Sequence, residues 1–313
     1  MKPLRDLSTL RKGAYFALAT AVISGFSVYI NKFAVSGMDD PFVFVAVKNV
    51  AVALLLFSLL ILPRALPELK ALNRRQWLML GAIGCVGGSV PFLLFFYGLS
   101  IGNAASAAFI HKTMFIWAAI LGVAFLREKV GKPQIAAIGV LFGGNILLLG
   151  WPGKWLVGEG ELLIFLATIL WAVETVLARK AMAGMGANVA AFGRMSFGAL
   201  VLLLYLAFAG KMGTVMSLGP EQVAWTGLTG LFLFGYVTCY YAGLKHAPVS
   251  VVTGILVLGS LITSMLYAVF DARTYTADQL VGLVLIAVAG MGLLYLAPRP
   301  TTREQARPAS AEI

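Results

Sequence analysis

Ten runs of mostly apolar residues, each near the roughly 20 that a helix needs to cross about 30 Å of hydrocarbon, constrain this chain more than any other feature. They fall near residues 13–34, 42–62, 77–97, 103–125, 134–150, 161–182, 189–209, 222–243, 248–270 and 278–297. The runs are continuously apolar rather than alternating, which argues against transmembrane strands. A helix also satisfies its own backbone hydrogen bonds where lipid cannot. Turn residues separate the runs, among them Asp39-Asp40-Pro41, Lys132-Pro133, Gly219-Pro220 and Ala247-Pro248. Only 12% of the residues are charged, against roughly 25% in a soluble domain, so no soluble core could hide this much apolar surface. The expected class is an all-α membrane protein of ten transmembrane helices.

The net charge of +11 suggests nucleic acid until the cations are placed. Taking alternate connections as lying on one side, that side collects seventeen Lys and Arg residues. They are Lys2, Arg5, Arg11, Lys12, Arg64, Lys70, Arg74, Arg75, Arg127, Lys129, Lys132, Arg179, Lys180, Lys245, Arg299, Arg303 and Arg307. The other side holds Lys154, Lys211 and Arg273, with Lys32 at its boundary. The positive-inside rule then puts both termini in the cytoplasm, and basicity becomes a topology signal. The first run, behind four basic residues, resembles a signal peptide, but its length and the spans after it predict a retained helix. Cys85 and Cys239 sit inside apolar runs with no CxxC pair, so neither a disulfide framework nor a cysteine metal site is expected.

Five spans per half make any internal repeat an inverted one. A repeat is visible: Phe95-Phe96-Tyr97-Gly98-Leu99 aligns with Tyr240-Tyr241-Ala242-Gly243-Leu244 at an offset of 145, which also pairs Ala105 with Ser250, Phe125 with Phe270 and Gln134 with Gln279. Leu18-Ala19-Thr20 matches Leu166-Ala167-Thr168, Lys32 falls on Lys180, and with a small shift Lys48 falls on Arg194. The expected organisation is a cytoplasmic segment 1–12, a first repeat 13–150, a connector 151–160, a second repeat 161–297 and a polar, disordered tail 298–313.

At this point the chain resembles the drug/metabolite transporter superfamily, of the bacterial EamA type. The resemblance rests on Phe125-Leu126-Arg127-Glu128-Lys129 with Gln134 and Gly139, similar to the family's F-L-x-E, Q, G signature between helices four and five, and on Leu170-Trp171-Ala172 with Arg179-Lys180. Two departures stand out: Ile23-Ser24-Gly25 replaces a frequent Trp-Gly pair, and Ala272-Arg273 stands where the second half would carry its glutamate. The resemblance implies a basket of two inverted five-helix repeats around a central cavity. It further implies a secondary transporter exporting small metabolites by alternating access, amino acids being the commonest cargo and the aromatic amino-acid exporters a similar branch. A multidrug or lipophilic-cation exporter, or a carrier of another metabolite, is the alternative.

Polar groups at membrane depth are costly and therefore functional candidates. Glu174 is the only acidic residue deep in a span, and Arg194 lies at matching depth in the next span. Their pairing could be structural, or a charge that substrate or proton displaces. Lys48 and Lys112 have no acidic residue at their depth; Lys48 could snorkel, while Lys112 near mid-span suits a substrate carboxylate. His111 lies in a stripe with Ala104, Ala107, Ala108, Ala118 and Gly122 and reads slightly better as a packing residue; His246 is read as a loop residue. Tyr97, Trp117, Trp171 and Tyr241 are the aromatic candidates for the cavity wall, with Tyr240 beside them, and Pro91 is a candidate flexing point. Gly84 with Gly88, and Gly139 with Gly143, predict close helix crossings in spans three and five.

Nothing in the chain supplies HExxH, GxSxG, a Walker A loop or a charged filter ring, which argues against an enzyme, an ATP-driven pump and a channel. The expected partners are a small-molecule substrate and the lipid bilayer, with no nucleic acid, metal or cofactor. A monomer is the simplest unit.

Overall fold

The structure, a computed structural model, describes residues 7–61, 65–150 and 158–296. Most of the predicted connector and the whole predicted tail 298–313 lie outside the described residues. Among the described residues, ten helices are long and apolar enough to cross a membrane: Thr9–Ser36, Pro41–Leu60, Arg74–Ile101, Ala104–Leu126, Lys132–Leu149, Glu159–Ala181, Ala187–Phe208, Pro220–His246, Val249–Phe270 and Ala277–Tyr295. They are spans one to ten below. No strand occurs among the described residues.

Several helices outrun the apolar stretches that announced them, because a helix continues past the hydrocarbon where hydropathy fades. Span eight shows the effect, and it corrects one placement: His246, expected in a loop, is its last helical residue. The turns stop and start helices by ordinary capping. Asp40 accepts hydrogen bonds from the backbone N–H groups of Phe42 (2.7 Å) and Val43 (3.4 Å) ahead of Pro41, and Asn73 with Gln76, and Thr276 with Gln279, form capping boxes.

The packing is that of an inverted repeat. Span one lies along spans eight and nine, and span six lies correspondingly along spans three and four. Spans two and seven pack together, as do five and ten, and four and nine. Every pair therefore maps onto itself or onto another pair when the halves are exchanged. With an even number of spans both described ends reach one face, called here the terminal face; the other is the distal face. Large apolar side chains such as Leu54 and Val288, each 65% exposed, point outward, as a hydrocarbon surround requires.

Glycine sets the closest approaches. A Cβ at Gly84 would meet Phe197 Cβ at 2.3 Å, and one at Gly88 would meet Gly198 Cα at 2.9 Å, so the predicted crossing in span three is real. The predicted crossing through Gly139 and Gly143 is not, since nothing lies within 4 Å of a Cβ at either. Span five instead meets span ten through Gly144, whose added Cβ would lie 2.9 Å from the Gly282 carbonyl oxygen. The contacting face is one residue round the helix from the motif.

Candidate functional site

Three spans break near mid-length, and the breaks carry the site. Span three stops at Gly88 and restarts at Val90, with Ser89 between. Pro91 has no N–H, so the carbonyl of Gly87, four residues back, loses its helical donor. The N–H of Phe92 turns to Ser89 O (2.9 Å), which frees Gly88 O as well. Both carbonyls are claimed by other spans: Trp171 Nε1 (3.1 Å) and Arg194 (3.2 Å) donate to Gly87 O, and Asn49 Nδ2 donates to Gly88 O at 2.9 Å. Flexing at Pro91 would have to break these bonds.

Arg194 also faces Glu174, its Nε 3.5 Å from Oε1, and the Tyr241 hydroxyl donates to the same carboxylate oxygen. The Nε has no well-formed hydrogen bond, so this is a charge contact. Glu174, Arg194, Trp171 and Tyr241 are all buried. Alongside, the hydroxyls of Tyr240 and Thr175 lie 2.8 Å apart. A Cβ at Gly87 would fall 2.1 Å from Glu174 Cγ, so glycine is what admits the carboxylate here.

Spans four and nine break at repeat-related places. Span four is Ala104–Lys112 and Met114–Leu126 around Thr113; span nine is Val249–Leu256 and Gly259–Phe270 around Val257 and Leu258. The offset of 145 carries Thr113 onto Leu258. Each break is a tightened turn of i→i−3 bonds, Thr113 N–H to Ile110 O (3.0 Å) and Leu258 N–H to Ile255 O (3.0 Å). The breaks face each other, and Lys112 Nζ bridges them with a 2.8 Å hydrogen bond to Ser260 Oγ.

Lys48 Nζ lies 3.2 Å from Asn31 Oδ1 and 4.2 Å from the centre of the Phe44 ring. Neither Lys48 nor Lys112 belongs to any of the three ion pairs among the described residues, Lys32–Asp271, Arg194–Glu174 and Lys211–Asp40. His111 packs edge-on to Trp171 and Phe95, with ring centres 4.9 and 5.5 Å away. Trp117 stands apart from the ion pair, donating to Thr113 Oγ1 (3.1 Å) and packing on Phe165. Tyr97 is 58% exposed and outside the network, because it sits on the outer side of span three. The small-residue stripe of span four splits: Ala107, Ala118 and Gly122 are buried, whereas Ala104 and Ala108 are exposed.

Asn49, Ser260 and Gly87 escaped the sequence reading. A single Asn or Ser in an apolar run is common, and only the positions of the breaks reveal what these residues serve. Near the distal face, outside the spans, Lys211 Nζ lies 2.6 Å from Asp40, a hydrogen bond that raises the lysine above its ordinary pKa. The Asp271 carboxyl is held below the usual aspartate range by its bond from Lys32.

The sequence pattern of the EamA-like transporter family matches residues 11–150 and again 158–295. An uncharacterized transporter of Clostridium kluyveri is 21% identical over 296 residues, covering 90% of this chain and 93% of its own. The uncharacterized transporter YyaM of Bacillus subtilis is 25% identical over 244 residues, covering 74% and 78% respectively. A solved crystal structure shares the fold with a TM-score of 0.74 at 14% identity, over 92% of this chain and 99% of that one.

Proposed function

The chain belongs to the EamA-like transporter family, and on that premise we propose that it is a secondary exporter of small carboxylate-bearing metabolites, amino acids foremost. The observation that carries the reading is Lys112, a cation at the meeting point of two helix breaks whose hydrogen-bond partner is the neutral Ser260. An ammonium group held by a hydroxyl alone can exchange that partner for a carboxylate, a charge-assisted bond roughly twice as strong. Broken helices at mid-depth are where inverted-repeat carriers bind their cargo. Trp171 and Phe95, 5.7 Å apart between ring centres, offer a neighbouring apolar wall that favours hydrophobic or aromatic side chains.

A lipophilic-cation exporter would need a free carboxylate. Glu174 is engaged by Arg194 and Tyr241, which weakens that alternative. The terminal face gathers Arg11, Lys12, Lys70, Arg74, Arg75, Arg127, Lys129 and Lys132, which supports a cytoplasmic assignment for it in a bacterial plasma membrane.

The test is uptake of labelled amino acids by proteoliposomes. Lys112→Ala should lower uptake about tenfold or more, the loss expected from one hydrogen bond to a charged group, while the thermal unfolding midpoint holds. Undiminished uptake with Lys112→Ala removes the lysine from the mechanism.

A further inference from the structure

The two ends of the central seam are not equivalent. Group spans one, eight and nine on one side and spans six, three and four on the other. Toward the terminal face these groups are tied together repeatedly. Tyr241 bonds Glu174, Tyr240 meets Thr175 at 2.8 Å, Arg179 donates to Leu244 O and Lys245 O, and Lys245 reaches Met185 O at 3.4 Å. The last tie is Glu128. Its Oε1 accepts from Val249 N–H at 2.6 Å, and its Oε2 accepts from Ser250 N–H at 3.2 Å and from the Ser250 hydroxyl at 3.1 Å.

That geometry is built locally. Arg127 adopts φ 54°, turning the chain back so that Glu128 N–H meets Gly122 O at 3.2 Å and the carboxylate points across at span nine. Span nine begins after Pro248, which has no side chain able to cap it. Glu128 therefore supplies from span four the cap that span nine lacks, where the helix dipole also favours an anion.

Toward the distal face, beyond the mid-span bond from Lys112 to Ser260, the polar contacts of the same six spans stay within each group. Lys32 and Tyr29 bond Asp271, and Glu161 accepts from Asn103 N–H at 2.9 Å. The repeat offset makes the contrast residue by residue. Val249, Ser250 and Thr253 are buried, whereas their counterparts Ala104, Ala105 and Ala108 are exposed. Ala104 and Ala108 precede Lys112 by two turns and one turn, so the distal start of span four is covered less than the terminal start of span nine. The counterpart of Glu128 is Arg273, a cation that cannot cap the start of span four and whose guanidinium lies over Tyr275, 5.3 Å from the ring centre; Asn103 caps that helix itself, 2.8 Å from Ala105 N–H.

We propose that Glu128 is the latch of a terminal-side gate, and that the absence of a matching carboxylate at Arg273 makes the gate one-sided, so the resting protein is closed toward the terminal face and open toward the distal face. The proposal rests on the transporter reading, but its test needs no substrate. In a C85A/C239A background, cysteines are placed singly at Thr253 and Ala108 and exposed to a membrane-impermeant maleimide from each side of the membrane. A108C should react from the distal side and T253C should resist reagent from the terminal side. Adding Glu128→Gln should raise T253C labelling from the terminal side about tenfold, the shift expected from losing charge-assisted hydrogen bonds. Arg273→Glu, which offers a carboxylate to span four, should slow A108C labelling from the distal side. Unchanged T253C labelling with Glu128→Gln overturns the latch, and unchanged A108C labelling with Arg273→Glu overturns the one-sidedness even if the first variant folds poorly. Lost uptake with Lys112→Ala and lost labelling contrast here are separate outcomes, so either reading can fail alone.

Discussion

The first and second repeats build the same five-span scaffold and treat charge at matching positions oppositely. In the second, Arg194 is buried against Glu174 and pinned to the Gly87 carbonyl. In the first, its counterpart Lys48 meets, among the described residues, the Asn31 amide oxygen and the Phe44 ring. Glu128 and Arg273 repeat the pattern in reverse: the first repeat ends its fourth span on an anion that ties the halves together, the second on a cation that does not. Duplicated scaffolds need not duplicate interactions, and in this protein the polar substitutions between repeats leave the terminal end of the seam with more cross-ties than the distal end.

The largest effect that could break this comparison is the removal of one member of the buried pair. Arg194→Met strands the Glu174 carboxylate and is expected to cost about 3–5 kcal/mol, read as a lower unfolding midpoint in detergent. Combining Arg194→Met with Glu174→Gln should restore most of that, and Lys48→Met should stay within about 1 kcal/mol. If Lys48→Met proves as damaging as Arg194→Met, the repeats do not differ as described.

Glycine substitutions sharpen the contrast at intermediate size. Gly88→Ala drives a methyl into the span-seven backbone and should destabilise by about 1–3 kcal/mol. Gly143→Ala enters open space and should be neutral or stabilising by up to about 1 kcal/mol. Equal midpoints for the two variants would remove the close crossing of spans three and seven.

The smallest effect concerns Asp271, at the distal end of span nine, which bonds back to span one rather than across to span four. Its folded pKa lies below the ordinary aspartate value because of the Lys32 hydrogen bond. The stability it contributes is therefore fully present above that ordinary value and is lost as pH falls through the depressed one. The gap in unfolding midpoint between wild type and Asp271→Asn should be small at neutral pH and should close on acidification. A gap that persists in acid would mean that the contact is not electrostatic.

Much of the architecture was legible beforehand because it depends on composition over long windows. Span number and the inverted repeat follow from apolar runs and an odd count per half, which single residues barely disturb. The meeting of Glu174 and Arg194 was also readable, since two opposite charges at one depth in adjacent spans have few alternatives in hydrocarbon. The glycine motif of span five misled because spacing shows that a small-residue face exists without showing which neighbour uses it. Tyr97 misled likewise: an aromatic in a span faces either the bundle or the lipid, and helix rotation decides which.

The sequence by itself determined that the chain crosses a membrane ten times, in two opposed halves, with few charges left inside, because transfer of side chains into hydrocarbon is a local property summed along the chain. Only the tertiary structure decided what those charges do. It set the two breaks of spans four and nine face to face across Lys112 and Ser260, handed the carbonyls freed by Pro91 to Trp171, Arg194 and Asn49, and turned Glu128 onto the start of span nine. Those contacts depend on the rotation and register of helices far apart in the chain, which packing alone sets.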